Sequence, residues 1–203
     1  LDSSLAIPAR YFMFLFEMFA RGSATLPAAG MQAIPEQIAT SLPAGMVQLG
    51  ARVTKIEGNV VELANGQRMA AEHLVVATES AAAGALLGAS FDAPLSNSNT
   101  TLYYGADRSE LGEPILMLAG DGGGPVNHVC FPSDVQSSYA PPGCALASVS
   151  VLGLANLDDR ELDRAVRDQL KGWMSGAVDR WQLLRIDRIA RALPRIATAD
   201  GNG

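Results

Sequence analysis

A continuous apolar run at residues 73–78 constrains the fold of this chain most, because it is the pattern of a strand buried on both faces. The run closes a longer segment, residues 53–78, in which shorter β-like stretches are separated by reversals at residues 58–59 and 65–66. These reversals are Gly-Asn and Asn-Gly pairs, which tolerate the positive φ of a tight turn. We therefore predict a compact β-unit whose last strand needs a larger sheet than the unit itself can supply.

Two helices are predicted before the β-unit. The first, residues 8–20, is apolar nearly all round, so we expect it to be buried against a neighbouring domain or to line an apolar substrate channel. A position on a membrane surface is less favoured, because no basic face accompanies the apolar one. The second helix spans residues 31–42, and a short strand at residues 46–49 leads into the β-unit.

Strands dominate the chain after an Ala-rich helix at residues 80–87, which Gly88 closes. Gly- and Pro-rich turns separate the successive apolar stretches, and connections this short predict antiparallel neighbours in a β-meander. The predicted strands of this sheet are residues 100–106, 115–119, 126–131, 145–152 and, after one further helix, 181–189.

The clearest helix is predicted over residues 158–174. Asp158 can cap it, with Glu161 in the position that completes a capping box. Its apolar residues form one stripe, and the charged residues between them, including Asp163 and Arg167, are predicted to point to water. Together these elements predict an α+β fold, with a mixed, mostly antiparallel sheet and flanking helices.

Composition excludes several classes of partner and site. A net charge of −6 and a pI near 4.9 argue against nucleic acid, whose phosphates require a basic patch. No stretch is long and apolar enough to be a transmembrane segment and no signal peptide is recognisable, so we expect a cytoplasmic protein. Cys130 and Cys144 make neither a disulfide framework nor a metal box, and His73 and His128 are too few to predict a metal site.

No group of side chains with a catalytic role emerges from the sequence, so no catalytic residue is predicted. A nucleophile elbow is absent, and the glycine-rich stretch at residues 120–125 is predicted to be a hairpin loop. Three residues are candidates for lining a substrate site: Tyr103, Tyr104 and His128. Because neighbouring side chains alternate along a strand, we expect one tyrosine to face the core and the other to form a contact surface.

Several segments resemble the flavin-containing amine oxidoreductase superfamily, which includes amine oxidases, protoporphyrinogen oxidases and carotenoid desaturases. Residues 26–31, followed by Ile34 and Pro35, look like its P-x-G-G-M-x-x-(I/L) motif. Residues 52–56 resemble its (T/R)-V-x-x-I strand, and residues 65–78 resemble its dG-x-x-x-x-A-D-x-V-V-x-A segment. All three occur in the family's order, and the likeness extends over nearly the whole chain.

The resemblance implies FAD as the cofactor, because in this family flavin carries the redox chemistry and the protein shapes the site. It implies that the backbone of Val53 contacts the adenine end of FAD. It also implies that Ala77 and Thr78 end a strand beside the cofactor, and that Gly30 and Met31 lie close to it.

Two departures from the family pattern bear on this expectation. Ala29 stands where the family usually has glycine. The strand–GxGxxG–helix that holds the pyrophosphate and the later Gly-Asp segment that holds the flavin are both missing from the sequence. With Leu1 in place of a starting Met and a loop-like end at residues 200–203, we expect a piece of a longer protein.

The resemblance also implies a division of the chain. Residues 1–45 would be a helical segment leading into the substrate domain, residues 46–79 a β-unit of the FAD-binding domain, and residues 80–203 the sheet and helices of the substrate domain. We expect the middle portion of an FAD-dependent oxidoreductase that transfers hydride from a small or apolar substrate to flavin. The piece alone is expected to be inactive and to bind FAD weakly or not at all.

A second hypothesis belongs to a different class of protein. The chain could be a non-catalytic domain that binds an apolar ligand or a protein partner through the surface around residues 8–20. Under either hypothesis, apolar surface meant for another domain would be exposed, so self-association is expected.

Overall fold

The computed structural model describes residues 8–88, 96–120, 122–174 and 176–194. The chain divides into two compact units. We call the first, Leu1–Ile34 with Ser96–Gly203, the sheet unit, and the second, Pro35–Leu95, the hairpin unit. The domain boundaries expected at residues 45 and 79 stay a prediction.

The hairpin unit contains a three-stranded antiparallel sheet, β1 (Val53–Glu57), β2 (Val60–Leu63) and β3 (Arg68–Ala70), in that order. Glycine is required at both reversals, because Gly58 has φ 58° and Gly66 has φ 83°. The predicted turns are therefore confirmed. Helices α2 (Ala33–Thr40) and α3 (Ser80–Leu87) lie within the predicted ranges, and Gly88 ends α3 with φ 61°.

Two predicted strands next to this sheet are wrong. Residues 73–78 join no sheet in the described part of the chain, and Val75 is 85% exposed. Residues 46–49 have irregular backbone, with a bend at Met46 and a turn beginning at Leu49, in place of a strand. The reason is the same for both, since an apolar run forms a strand only when neighbouring strands bond to its backbone, and β1, β2 and β3 pair only with one another.

The sheet unit is built on a five-stranded sheet in which every neighbouring pair is antiparallel. The α+β prediction is confirmed, but the sheet is not a simple meander. The first strand, β4, lies between the fourth and the fifth, so the spatial order is β5-β6-β7-β4-β8. The strands are β4 (Ser96–Ala106), β5 (Leu116–Leu118), β6 (Val126–Cys130), β7 (Ala145–Leu152) and β8 (Gln182–Pro194).

Helix α5 (Asp159–Lys171) packs on one face of this sheet and forms the core with it; a short helix, α4 (Pro132–Val135), follows β6. The predicted capping box is confirmed: Asp158 Oδ1 accepts from the backbone N–H groups of Arg160 and Glu161, both at 2.9 Å. The buried stripe of α5 is Leu162, Val166 and Leu170, each fully buried.

Helix α1 (Ala9–Arg21) forms within one residue of the predicted bounds, but it has no buried residue. Phe16 is 61% exposed and Phe19 is 73% exposed. The helix is therefore exposed in the described part of the chain, and its burial against another domain or in a substrate channel stays a prediction. None of the described helices has the length and apolar character that a membrane crossing requires.

Candidate functional site

The face of the five-stranded sheet opposite α5 carries a row of polar side chains. The strand register places His128 beside Ser150, Ser150 beside Thr101, and Thr101 beside Asp187. Partners in an antiparallel register share one face, so these four side chains lie on the same side of β6, β7, β4 and β8. We call this set the polar row.

Tyr103 lies in a second row on the same face. Its register partners are Ser148 on β7 and Arg185 on β8, and Ser148 is in turn the partner of Cys130 on β6. Tyr103 is half-buried. Tyr103 and His128 therefore lie on one face, as expected for residues that line the same surface.

Tyr104 points the other way. It is fully buried in the core beneath α5, and its hydroxyl donates a hydrogen bond of 2.9 Å to Asp163 Oδ1. The pKa of Tyr104 is raised above the usual range of a tyrosine, mainly by burial and secondly by the hydrogen bond to Asp163. One tyrosine faces the core and the other the opposite face, as the alternation predicted, and Tyr104 does not share a face with the other two candidates.

The polar row is held by hydrogen bonds that involve Asn99 on β4. The Ser150 hydroxyl donates to Asn99 Oδ1 at 2.8 Å, and Asn99 Nδ2 donates to Thr101 Oγ1 at 2.8 Å. These bonds fix the orientations of three side chains across two strands. A fixed set of hydroxyl and amide groups can orient a bound molecule with little loss of side-chain entropy.

His128 has an unusual neighbour for a strand residue. The register of β6 shifts between Val126 and His128, which marks a bulge. In a regular strand the side chains of Asn127 and His128 would point to opposite faces, but here Asn127 Nδ2 lies 2.9 Å from His128 Nδ1. Burial lowers the pKa of His128, so its ring is neutral at pH 7.

The face lacks a strong nucleophile. Burial raises the pKa of the Cys130 thiol, so it is not a thiolate at neutral pH. In the described ranges, no group of three or more His, Cys, Asp or Glu side chains could hold a metal ion. The groups described on this face are therefore suited to binding and orienting a molecule by hydrogen bonds.

The five residues that the resemblance assigns to FAD belong to both units. Val53 is half-buried at the start of β1, beside a groove of about 600 Å³ whose lining includes Arg52, and both Ala77 and Thr78 are exposed. In the sheet unit, Gly30 has φ 86° in a turn closed by its N–H bond of 3.0 Å to Pro27 O. Met31, next to it, is 59% exposed.

Each unit, taken by itself, leaves its backbone accessible at these positions. The backbone at residues 77–78 joins no sheet ladder among the described residues, and Gly30 has open space where a Cβ would stand, so both permit a close approach by a cofactor. No GxGxxG sequence occurs among the 203 residues, so the usual pyrophosphate contact is not supplied by this chain.

Sequence reasoning missed most of the polar row. Ser150, Thr101, Asn99 and Asp187 were not singled out, because each is an unremarkable polar residue in its own strand. The alternation of small polar and apolar residues in β7 was a usable signal that one face of the strand is polar. It identifies the polar row only once the register of β4 with β7 and β8 is known.

Comparison with known proteins identifies a family. The family model of flavin-containing amine oxidoreductases matches residues 2–200, which confirms the resemblance found in the sequence motifs. No curated protein sequence matches the chain significantly.

Solved structures of three proteins share the fold. An oxidoreductase from Methanosarcina mazei has a TM-score of 0.57 at 18% identity, covering 71% of this chain and 38% of that one. Reduced UDP-galactopyranose mutase has a TM-score of 0.59 at 13% identity, covering 81% of this chain and 40% of that one. A candidate protoporphyrinogen oxidase from Exiguobacterium sp. has a TM-score of 0.64 at 14% identity, covering 85% of this chain and 41% of that one. The chain thus spans between 38% and 41% of the length of these structures.

Proposed function

The chain belongs to the flavin-containing amine oxidoreductase family, and we propose that it forms the substrate-binding part of an FAD-dependent oxidoreductase that acts on a small or apolar substrate. The observation that carries the proposal is the family match over residues 2–200, supported by the polar face of the sheet. FAD, when bound, supplies the oxidising power by accepting a hydride from the substrate.

The proposal gives this chain's residues roles that rest on the sheet register for the substrate and on the family resemblance for FAD. Tyr103 and His128, on the face opposite α5, contact the substrate and orient it. Gly30 and Met31 lie close to FAD, and the backbone of Val53 contacts its adenine end. Ala77 and Thr78 end a segment that lies beside the cofactor. Under this proposal, segments outside the 203 residues complete the cofactor site; the chain spans about two-fifths of the length of the structures it resembles.

The first test is the visible absorption spectrum of the protein expressed from its full reading frame, beside that of the 203-residue chain. We expect the full protein to show the bands of bound flavin and the shorter chain to be colourless before and after FAD is added. A full protein that is colourless and takes up no FAD would contradict the proposal.

A matched pair of variants tests the contact at Gly30 in the full protein. Gly30 (φ 86°) and Gly45 (φ 83°) have similar positive φ values, so a side chain would strain the backbone to a similar degree at either position, and neither has an atom within 4 Å of an added Cβ. Gly30→Val is expected to weaken FAD binding about tenfold, or about 1.4 kcal/mol, while Gly45→Val leaves it near the wild-type value. Equal losses would mean that only backbone strain is being measured.

A second candidate function is a non-catalytic domain that binds an apolar ligand or a protein partner. It is favoured by one observation, the exposed phenylalanine side chains of α1, since exposed apolar patches often mark interaction surfaces. A full protein that binds no FAD would move this candidate to first place.

The exposed face of α1 also predicts self-association of the 203-residue chain. Sedimentation velocity at rising concentration should show dimers or larger species, and the double substitution Phe16→Ser with Phe19→Ser should shift the profile toward monomer. Leu184→Ser with Leu193→Ser, at two other exposed apolar positions, is the control and should leave the profile unchanged. A wild-type chain that is strictly monomeric at high concentration would refute the prediction.

A further inference from the structure

The hydrogen bond between Asn127 and His128 fixes which ring nitrogen carries the proton. An amide nitrogen only donates, so Asn127 Nδ2, at 2.9 Å, requires His128 Nδ1 to be the acceptor. A neutral imidazole has one N–H, which must then be on Nε2. The low pKa that burial gives this ring agrees with the neutral form.

The second nitrogen has no protein partner. Among the described residues, no hydrogen bond or ion pair involves His128 Nε2, although His128 is half-buried on β6. A half-buried donor without an acceptor is unfavourable unless water or a ligand supplies one. The N–H group on Nε2 is therefore available to a bound molecule.

The surroundings of His128 define the kind of molecule that suits this donor. Its register partners are Ser150 in the polar row and Leu118 on the edge strand β5. The side chain of Leu118 is 65% exposed. The Ser150 hydroxyl already donates to Asn99, so it offers lone pairs and no free proton. A molecule at this position meets one neutral N–H donor beside an apolar side chain, an arrangement suited to an uncharged oxygen acceptor on an apolar body.

We infer that His128 is a specificity-determining residue which donates from Nε2 to an uncharged oxygen of the substrate, a carbonyl or a hydroxyl, and that Asn127 is the positioning residue that holds this tautomer. This inference rests on the proposed function, because it names the substrate class of the same face. It also narrows that function: the substrate is an oxygen-bearing apolar molecule, bound without an ion pair at this point.

The tautomer is tested first, by ¹⁵N–¹H correlation spectra of the histidine rings in the 203-residue chain. Only two histidines are present, and the exposed His73 serves as an internal reference. We expect the proton of neutral His128 on Nε2 in the wild type and on Nδ1 in Asn127→Asp, whose carboxylate accepts where the amide donated. A wild-type proton on Nδ1 would overturn the inference.

The donor role is tested with two probes of similar size, acetophenone and ethylbenzene, whose binding is followed by chemical-shift changes on β6 and β7. We expect acetophenone to bind about fivefold more tightly, the effect of one hydrogen bond of about 1 kcal/mol. His128→Phe and Asn127→Asp should both abolish the preference, while His73→Phe should retain it. Equal or undetectable binding of the two probes to the wild type would overturn the inference.

The two proposals can fail separately. A full protein without flavin bands but with Nε2–H on His128 and a preference for acetophenone refutes the oxidoreductase and leaves an oxygen-recognising face. A yellow full protein with no preference between the probes keeps the oxidoreductase and refutes the role of His128.

Discussion

Arg167→Ala is expected to lower the free energy of unfolding of the sheet unit by about 3 kcal/mol, since it removes one partner of a largely buried ion pair. Arg167 Nε lies 2.9 and 3.0 Å from the two carboxylate oxygens of Asp163. Its Nη1 donates to Val178 O at 2.6 Å and its Nη2 to Trp181 O at 2.9 Å. The guanidinium also lies over the ring of Tyr104, 5.0 Å from its centroid.

This single side chain joins α5, the turn before β8 and the interior strand β4. Its loss leaves Asp163 without its cation and removes the guanidinium donor from two carbonyl groups, of which Val178 O keeps only the Trp181 N–H at 3.3 Å. The effect should therefore exceed that of a surface ion pair. Arg164→Ala is the control, because Arg164 is the preceding arginine on the same helix and is exposed. It should change the free energy of unfolding by less than about 0.5 kcal/mol.

The measurement is urea unfolding followed by tryptophan fluorescence. Both tryptophans, Trp173 and Trp181, lie in the sheet unit, so the signal reports on that unit. Arg167→Lys keeps the charge but loses the planar guanidinium, which donates to Asp163 and to two carbonyl groups at once, so its stability should lie between those of the wild type and the alanine variant. Similar stabilities for Arg167→Ala and Arg164→Ala would contradict the proposed role of the network.

The same residues show where sequence reasoning on α5 succeeded and where it failed. The capping box and the apolar stripe were predictable because both depend on spacing within one helix. Asp163 and Arg167 were predicted to point to water, yet their side chains are only 24% and 15% exposed. Their partners, Tyr104 and the backbone at residues 178 and 181, come from other elements, so no helical pattern could indicate them.

Strand existence was easier to predict than strand order. The apolar stretches and glycine-rich turns correctly predicted all five strands of the large sheet, although observed bounds differ at several ends. The position of β4 between β7 and β8 was missed because it depends on pairing with β8, about 80 residues later in the chain, and short turns favour sequential neighbours. The bulge at Asn127 was missed for a related reason, since it is a property of a strand pair.

The candidate site came from two sources that differ in kind. Tyr103, Tyr104 and His128 were candidates because of their positions in predicted strands, and the structure places Tyr103 and His128 on one face and Tyr104 in the core. Val53, Ala77, Thr78, Gly30 and Met31 came only from the resemblance, since nothing in their chemistry points to FAD. Backbone contacts of this kind leave no side-chain signature, so they could not have been found from composition or periodicity.

Gly124→Ala is expected to lower the free energy of unfolding by about 2 kcal/mol, because an added methyl group displaces Gln169 from the backbone it holds. A Cβ on Gly124 would lie 2.7 Å from Gln169 Cδ, and closer still to Oε1. Gln169 Oε1 accepts from Val126 N at 2.7 Å, and its Nε2 donates to Val126 O at 3.3 Å. Val126 is 2% exposed, so water cannot readily replace the amide.

A double-mutant cycle separates this mechanism from a general effect of alanine in the loop. Gln169→Ala alone should cost about as much as Gly124→Ala, because both leave the Val126 groups without partners. In the Gln169→Ala background the three atoms nearest to the added methyl group are gone, so the second substitution should cost little and the coupling should approach about 2 kcal/mol. Gly120→Ala, with no atom within 4 Å of its Cβ, is the control in the same loop and should be near neutral. Additive losses would mean that Gly124 is required for its backbone conformation and that Gln169 holds Val126 independently of it.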